Sequence, residues 1–123
     1  MKLIKPAAAI TALASTVILS GCALGFSKFN DAYKACGDPS GISVSDGGKT
    51  LSIDTMGNDD YAGADFSDMN CILEELKVPQ YIMDDISATN SLMGRQNAEF
   101  DGISMNWSYH PDSGANMTLH FGD

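Results

Sequence analysis

Two stretches of this chain alternate apolar and polar residues with a period of two, which commits each to a strand pair with one buried and one exposed face. In the first, Ile42 and Val44 alternate with Ser43 and Ser45, and Leu51 and Ile53 alternate with Thr50, Ser52 and Asp54. Gly47-Gly48 between them suits a two-residue hairpin turn that needs positive φ at both positions. That turn sets Asp46 opposite Lys49, Val44 opposite Leu51 and Ile42 opposite Ile53, so apolar meets apolar. In the second, Ile103, Met105, Trp107 and Tyr109 alternate with Ser104, Asn106, Ser108 and His110, and Met117, Leu119 and Phe121 alternate with Asn116, Thr118 and His120. Pro111-Asp112-Ser113-Gly114 reads as a type I turn with Gly114 in the left-handed bulge position. The expected register sets Tyr109 opposite Met117, Trp107 opposite Leu119 and Met105 opposite Phe121. Asp101-Gly102 is a further tight turn, making Gln96 to Phe100 an extra strand, or a bulge in one longer strand.

Helical spacing appears elsewhere. Phe26, Phe29, Tyr33 and Cys36 form one face of a first helix, with Ser27 available as its cap and Gly37 as its stop. Asp38-Pro39-Ser40-Gly41 then breaks the chain. Asn58 to Gly63 reads as an exposed acidic loop. Met69, Ile72, Leu73 and Leu76 share a face from Ser67 to Lys77, and a further helix is expected from Pro79 through Ile82, Ile86 and Leu92 or Met93 to Gly94. The fold class is therefore α+β in the order α-β-β-α-α-β-β. It predicts an antiparallel sheet of four or five strands, with helices packed on its apolar face and its polar face open.

The N-terminus carries a different signal. Lys2 and Lys5 precede an uncharged, largely apolar run from Ala7 to Ser20, the layout of a signal peptide and too short for a helix spanning about 30 Å of hydrocarbon. Leu19-Ser20-Gly21-Cys22 resembles the bacterial lipobox. The resemblance implies a diacylglyceryl group on the Cys22 thiol and cleavage after Gly21. It divides the chain into a signal peptide (1–21), a lipidated cysteine with a short tether (22–26) and one domain (27–123). Ordinary signal-peptidase cleavage with Cys22 in a disulfide, or an uncleaved membrane segment, are the rival readings. Of three cysteines, lipidation of Cys22 leaves Cys36 and Cys71 as a pair in an oxidising compartment, closing a loop worth about 3 to 4 kcal/mol. A Cys-Cys metal site is the alternative, but no third or fourth ligand stands at zinc spacing.

Charge narrows the partners. The chain carries a formal net charge of −9, and loss of Lys2 and Lys5 would take it to −11. Such a surface repels nucleic-acid phosphates and anionic head groups, so the expected membrane contact is the covalent lipid rather than adsorption.

The chemistry-bearing residues do not assemble into a recognised constellation. On the expected register His120 faces Asn106, four positions from His110, which separates the imidazoles by about 13 Å. Asp54, Asn58, Asp59, Asp60, Asp65 and Asp68 offer oxygens for Ca²⁺, yet lack the EF-hand order; a solvated loop is the plainer reading. Asp84-Asp85 diverge around a helix and do not form paired carboxylates. No Gly-x-Ser-x-Gly elbow or phosphate-binding glycine loop is present, and no cofactor or metal is called for. The open sheet face, with Ser104, Asn106, Ser108 and His120 at its centre, is the candidate binding surface, although solvent exposure alone produces the same alternation.

Trp107-Ser108-Tyr109-His110-Pro111-Asp112-Ser113-Gly114, with Gly94-Arg95-Gln96 upstream, resembles small actinobacterial lipoproteins, which implies an envelope address and no particular activity. The expected function is a membrane-anchored extracytoplasmic module binding an envelope protein or small ligand. An envelope enzyme using His110 with Asp112 or Arg95, and a structural surface protein, are the alternatives. The anchor reading predicts that Cys22→Ala leaves unprocessed precursor or frees the protein from the membrane. Normal maturation with detergent-dependent membrane retention in that variant would exclude it.

Overall fold

The computed structural model describes residues 21–122, with side chains from Ser27 onward; residues 1–20 of the expected signal peptide lie outside them. The elements are α1 (Gly21–Ala35), β1 (Ile42–Ser45), β2 (Thr50–Asp54), α2 (Phe66–Glu75), α3 (Gln80–Ala88), β3 (Gln96–Phe100), β4 (Ile103–His110) and β5 (Gly114–Phe121). The five strands form one antiparallel sheet in the order β1-β2-β5-β4-β3. The fold class is the α+β architecture read from the pattern, and Gln96 to Phe100 is indeed a strand of its own. Among the described residues, no helix is long and apolar enough to cross a membrane.

The first hairpin has the expected register, Ile42 opposite Ile53 and Val44 opposite Leu51. Lys49 N–H donates to Asp46 C=O at 3.2 Å across Gly47 and Gly48, whose φ values of 66° and 96° are those such a turn requires. Asp101 (φ 54°) and Gly102 (φ 77°) make the corresponding turn between β3 and β4.

The β4–β5 register differs from the expected one by two residues: Tyr109 faces Ala115, Trp107 faces Met117 and Met105 faces Leu119. The cause is that β5 starts earlier. Gly114 pairs with His110, and Ala115 is tied to the residue after β2, as Thr55 N–H donates to Ala115 C=O at 2.9 Å. Because the displacement is an even number, every apolar side chain stays on the intended face.

Two helix boundaries also differ. The backbone of α1 is already helical at Gly21, so Ser27 lies inside the helix rather than at its cap, and the segment read as a tether (22–26) is helical. It ends as expected. Gly37 takes φ 87°, its N–H bonds Lys34 C=O at 3.0 Å and Asp38 N–H bonds Tyr33 C=O at 3.0 Å, a Schellman closure. Helix α3 stops at Ala88, leaving Leu92 and Met93 exposed. Thr89 is the reason: its backbone is extended, its hydroxyl donates to Asp85 C=O at 2.7 Å, and the indole N–H of Trp107 donates to that hydroxyl at 2.8 Å. A buried indole N–H needs an acceptor, and satisfying Trp107 outweighs another helical turn of Ser, Thr and Asn.

The core lies between the sheet and the helices. Phe29, Leu51, Ile53, Ile72, Leu73, Leu76, Ile82, Ile103, Met105, Met117 and Leu119 are all essentially inaccessible to solvent. Phe29 of α1 stacks on Phe121 with ring centroids 4.6 Å apart. Cys36, just past α1, and Cys71 of α2 form a disulfide, which ties the first helix to the second half of the core. Replacing both cysteines by serine is expected to cost about 3 kcal/mol, read as a lowered denaturation midpoint. An unchanged midpoint, or two free thiols in the isolated protein, would exclude the disulfide.

Candidate functional site

The open sheet face is built as the alternation requires. Pairing of Ser104 with His120, Asn106 with Thr118 and Ser108 with Asn116 places Ser104, Asn106, Ser108 and His120 together on it, continuous with Thr50 and Ser52 of β2. Much of its hydrogen-bonding capacity is satisfied internally. Arg95 lies across it and donates from Nε to Asn106 Oδ1 (2.8 Å) and from one terminal nitrogen to Ser108 Oγ (3.1 Å) and Asn116 Oδ1 (3.1 Å). His120 Nδ1 contacts Thr50 Oγ1 at 2.9 Å, and that hydroxyl also donates to Asp46 Oδ2 at 2.7 Å. Three strands are thus stapled by side chains; the platform is organised by its own members.

His110 is not assembled with a second imidazole. The corrected register puts His120 opposite Ser104, six positions from His110, a separation of about 20 Å along the strand. Asp112 N–H donates to His110 Nδ1 at 3.1 Å, so in this arrangement Nδ1 is an acceptor and the ring proton sits on Nε2. Asp112 Oδ2 stands 3.8 Å from the same nitrogen, a contact that becomes an ion pair only when the ring is doubly protonated.

The acidic loop is docked rather than wrapped around a centre. Asn58 and Asp59 donate their N–H groups to the Pro111 and Asp112 carbonyls, both at 2.9 Å, and the Asp60 carboxylate accepts Gly57 N–H at 3.0 Å. A Cβ on Gly57 would stand 2.4 Å from the Asp112 carbonyl carbon, so only glycine permits this approach. Among the described residues, no three His, Cys, Asp or Glu side chains converge as metal ligands would. Cys22 falls within α1, and its side chain lies outside those described.

A concave site opens on the other face of the sheet. A groove of about 410 Å³ runs between the helices and the β4–β5 hairpin, lined by Phe66, Met69 and Asn70 of α2, Met83, Ile86 and Ser87 of α3, Thr89, and Trp107, Ser108, Tyr109, Ala115 and Met117 of the sheet. None of these residues is charged. The size is that of small-ligand and side-chain pockets, and the wall presents apolar and polar surface in comparable measure. Three thioethers and Ile86 give the wall adaptable shape, whereas Trp107 is fixed by its bond to Thr89.

Tyr109 gives the groove a polar edge. Ala115, its cross-strand neighbour, directs both backbone groups toward Thr55: its N–H donates to Thr55 Oγ1 at 2.7 Å and its C=O accepts Thr55 N–H at 2.9 Å. In an antiparallel ladder the directly opposite residue then points its N–H and C=O the other way. That direction is the β3 side, and β3 begins only at Gln96, opposite Trp107. Among the described residues no backbone group bonds the main chain of Tyr109 from that side.

The sequence reading placed its candidate surface on the polar face and missed this groove. The available signal was the run of Met and aromatic residues at Met69, Trp107, Tyr109 and Met117, which alternation and helical periodicity assigned to the core, together with Phe66 and Met83, which fell on neither pattern.

The junction at Thr55 holds the site's geometry. It is the one buried polar residue among those described. Thr55→Val removes the acceptor for Ala115 N–H and is expected to cost about 1 to 3 kcal/mol, with Thr55→Ser retaining most of the stability. Equal denaturation midpoints for the valine variant and the parent would show that the hydroxyl is not needed. Neither protein-family models, nor curated proteins, nor solved structures gave a match to this chain.

Proposed function

We propose that this chain is a membrane-anchored extracytoplasmic lipoprotein whose domain is a binding module of the cell envelope, with the groove beside Trp107 as its site. The observation that carries the binding reading is the groove itself: an uncharged concavity of about 410 Å³ whose wall presents apolar and polar surface in comparable measure. The sheet face, by contrast, has Asn106, Ser108 and His120 already engaged by Arg95 and Thr50. The anchor rests on the lipobox at Leu19-Ser20-Gly21-Cys22, and the disulfide supports an oxidising compartment.

On this reading the anchor and the groove lie toward opposite ends of the sheet. Lys28 of α1 reaches Asp101 at 3.5 Å and Phe29 stacks on Phe121, both at the end carrying the β1–β2 and β3–β4 turns. Helical backbone from Phe29 back to Cys22 extends that axis by about 10 Å. Tyr109 and Ala115 pair six residues from Ile103 and Phe121, about 20 Å along the strands. A lipid on Cys22 would then hold the domain by the end of the sheet away from the β4–β5 turn.

In living cells, a photo-crosslinking amino acid at position 83, in the groove, should give discrete adducts that Ile86→Glu removes, while the same probe at position 106, on the sheet face, should give none. Adducts at 106 alone would move the site to the sheet face, and none at either position would reject the binding reading.

A further inference from the structure

We infer that the groove takes a neutral carbohydrate of one or two pyranose rings, with the apolar face of the sugar against Phe66 and Tyr109 and its hydroxyls on Asn70, Ser87 and the Tyr109 phenol. This rests on the groove being the binding site and names its ligand.

Three polar side chains in the groove are unengaged. The Asn70 carboxamide on α2, the Ser87 hydroxyl on α3 and the Tyr109 hydroxyl on β4 all belong to lining residues, and among the described residues none of the three has a side-chain hydrogen-bond partner. Their neighbours differ: Thr89 Oγ1 is held between the Asp85 carbonyl and the Trp107 indole, and Ser108 Oγ accepts from Arg95. A ligand seated between the unengaged groups meets donors and acceptors from two helices and the sheet at once.

The same groove carries aromatic surface. Phe66, Trp107 and Tyr109 all line it. Phe66 is 48% exposed although it opens a helix whose later apolar residues, Met69, Ile72 and Leu73, are buried. Tyr109 is half-buried, and Trp107 is fixed by its bond to Thr89. A pyranose has the matching construction, with a face of C–H groups and an edge of hydroxyls. Aromatic side chains offer the face a large, rigid contact at low entropic cost, and the amide and hydroxyls take the edge.

Other ligand classes leave a group unsatisfied. A fatty acyl chain, or a wholly apolar side chain, would cover Asn70, Ser87 and Tyr109 without giving them a partner, which counts against binding. An anion finds no cation: among the described residues these are Lys28, Lys34, Lys49, Lys77 and Arg95, none of which lines the groove, and the chain's net charge of −9 repels it. A cation finds no carboxylate in the wall. A neutral polyol with an apolar face leaves nothing unpaired. The volume of about 410 Å³ lies toward the small end of ligand clefts and seats one or two sugar rings.

Trp107 is the sole tryptophan of the chain and stands in the groove wall, so its emission reports on the site. The mature protein, in phosphatidylcholine vesicles, is titrated with cellobiose, maltose and N,N′-diacetylchitobiose at millimolar concentrations. The expected result is a saturable spectral change with at least one of them. Phe66→Ala should weaken that sugar at least tenfold, and Tyr109→Phe, which keeps the ring and removes only the hydroxyl, should weaken it several-fold. Asn97→Ala, on the opposite face of the sheet, should leave it unchanged. The same disaccharide with its outer hydroxymethyl group oxidised to a carboxylate should bind at least tenfold more weakly; this comparison needs no variant and decides the matter if a substitution disturbs folding. Equal binding of the neutral and oxidised sugars, or binding untouched by both Phe66→Ala and Tyr109→Phe in folded protein, overturns the proposal. Absence of a saturable response to all three sugars also overturns it. A response to hexanol or N-acetylphenylalaninamide in that case keeps the groove as a site for another ligand, and no response to these either rejects the groove together with the sugar.

Discussion

The pairing of β2 with β5 is the contact on which the rest of the fold depends. It joins the N-terminal hairpin to the C-terminal meander across more than sixty residues of chain, with Leu51 against Leu119 and Ile53 against Met117 at its centre. Without it there are a two-stranded hairpin, marginal on its own, and a separate three-stranded meander. With it, five strands present one apolar face wide enough for three helices. The Thr55–Ala115 junction extends this pairing by one step beyond β2 and sets where β5 begins. From that follow the β4–β5 register, the orientation of the Tyr109 backbone and the docking of the acidic loop. A chain organised by so distant a pairing closes its largest loop before its sheet is complete, a topology associated with slower folding than local helical packing.

Much of the architecture was legible because its signals are local. Alternation of Ser43 with Val44 or Asn106 with Trp107 states both strand and face, and Gly47-Gly48 and Asp101-Gly102 state the turns, since positive φ is costly for most other residues. The disulfide pairing was legible by elimination once Cys22 was assigned elsewhere. The β4–β5 register was misread by two because the loop Pro111-Asp112-Ser113 closes directly between His110 and Gly114, with Ser113 N–H on the His110 carbonyl, so Gly114 is already the first residue of β5. Face assignments survived that error because a slip of two preserves the pleat.

The end of α3 shows the limit from the other side. Helical spacing continues through Leu92, and nothing nearby forbids another turn. The stop is imposed by an indole on β4 that requires an acceptor and finds it in Thr89. A long-range hydrogen bond thus coincides with the point at which the helix ends and Leu92 and Met93 are left exposed. The groove escapes motif reading: its wall consists of ordinary core residues, and only the geometry reveals that the core is open.

The disulfide sets how load travels through the molecule. α1 packs on the sheet mainly through Phe29 and Ala32, with the exposed Lys28–Asp101 pair adding little strength. A pull on the N-terminus would peel such a helix away at low force if noncovalent packing were all that held it. The bond from Cys36 to Cys71 carries that tension directly to α2, and Met69 and Asn70, on the turn just before Cys71, are in the groove wall. Tension on the first helix is therefore felt at the groove wall through a covalent path, while the sheet stays clear of the line of force.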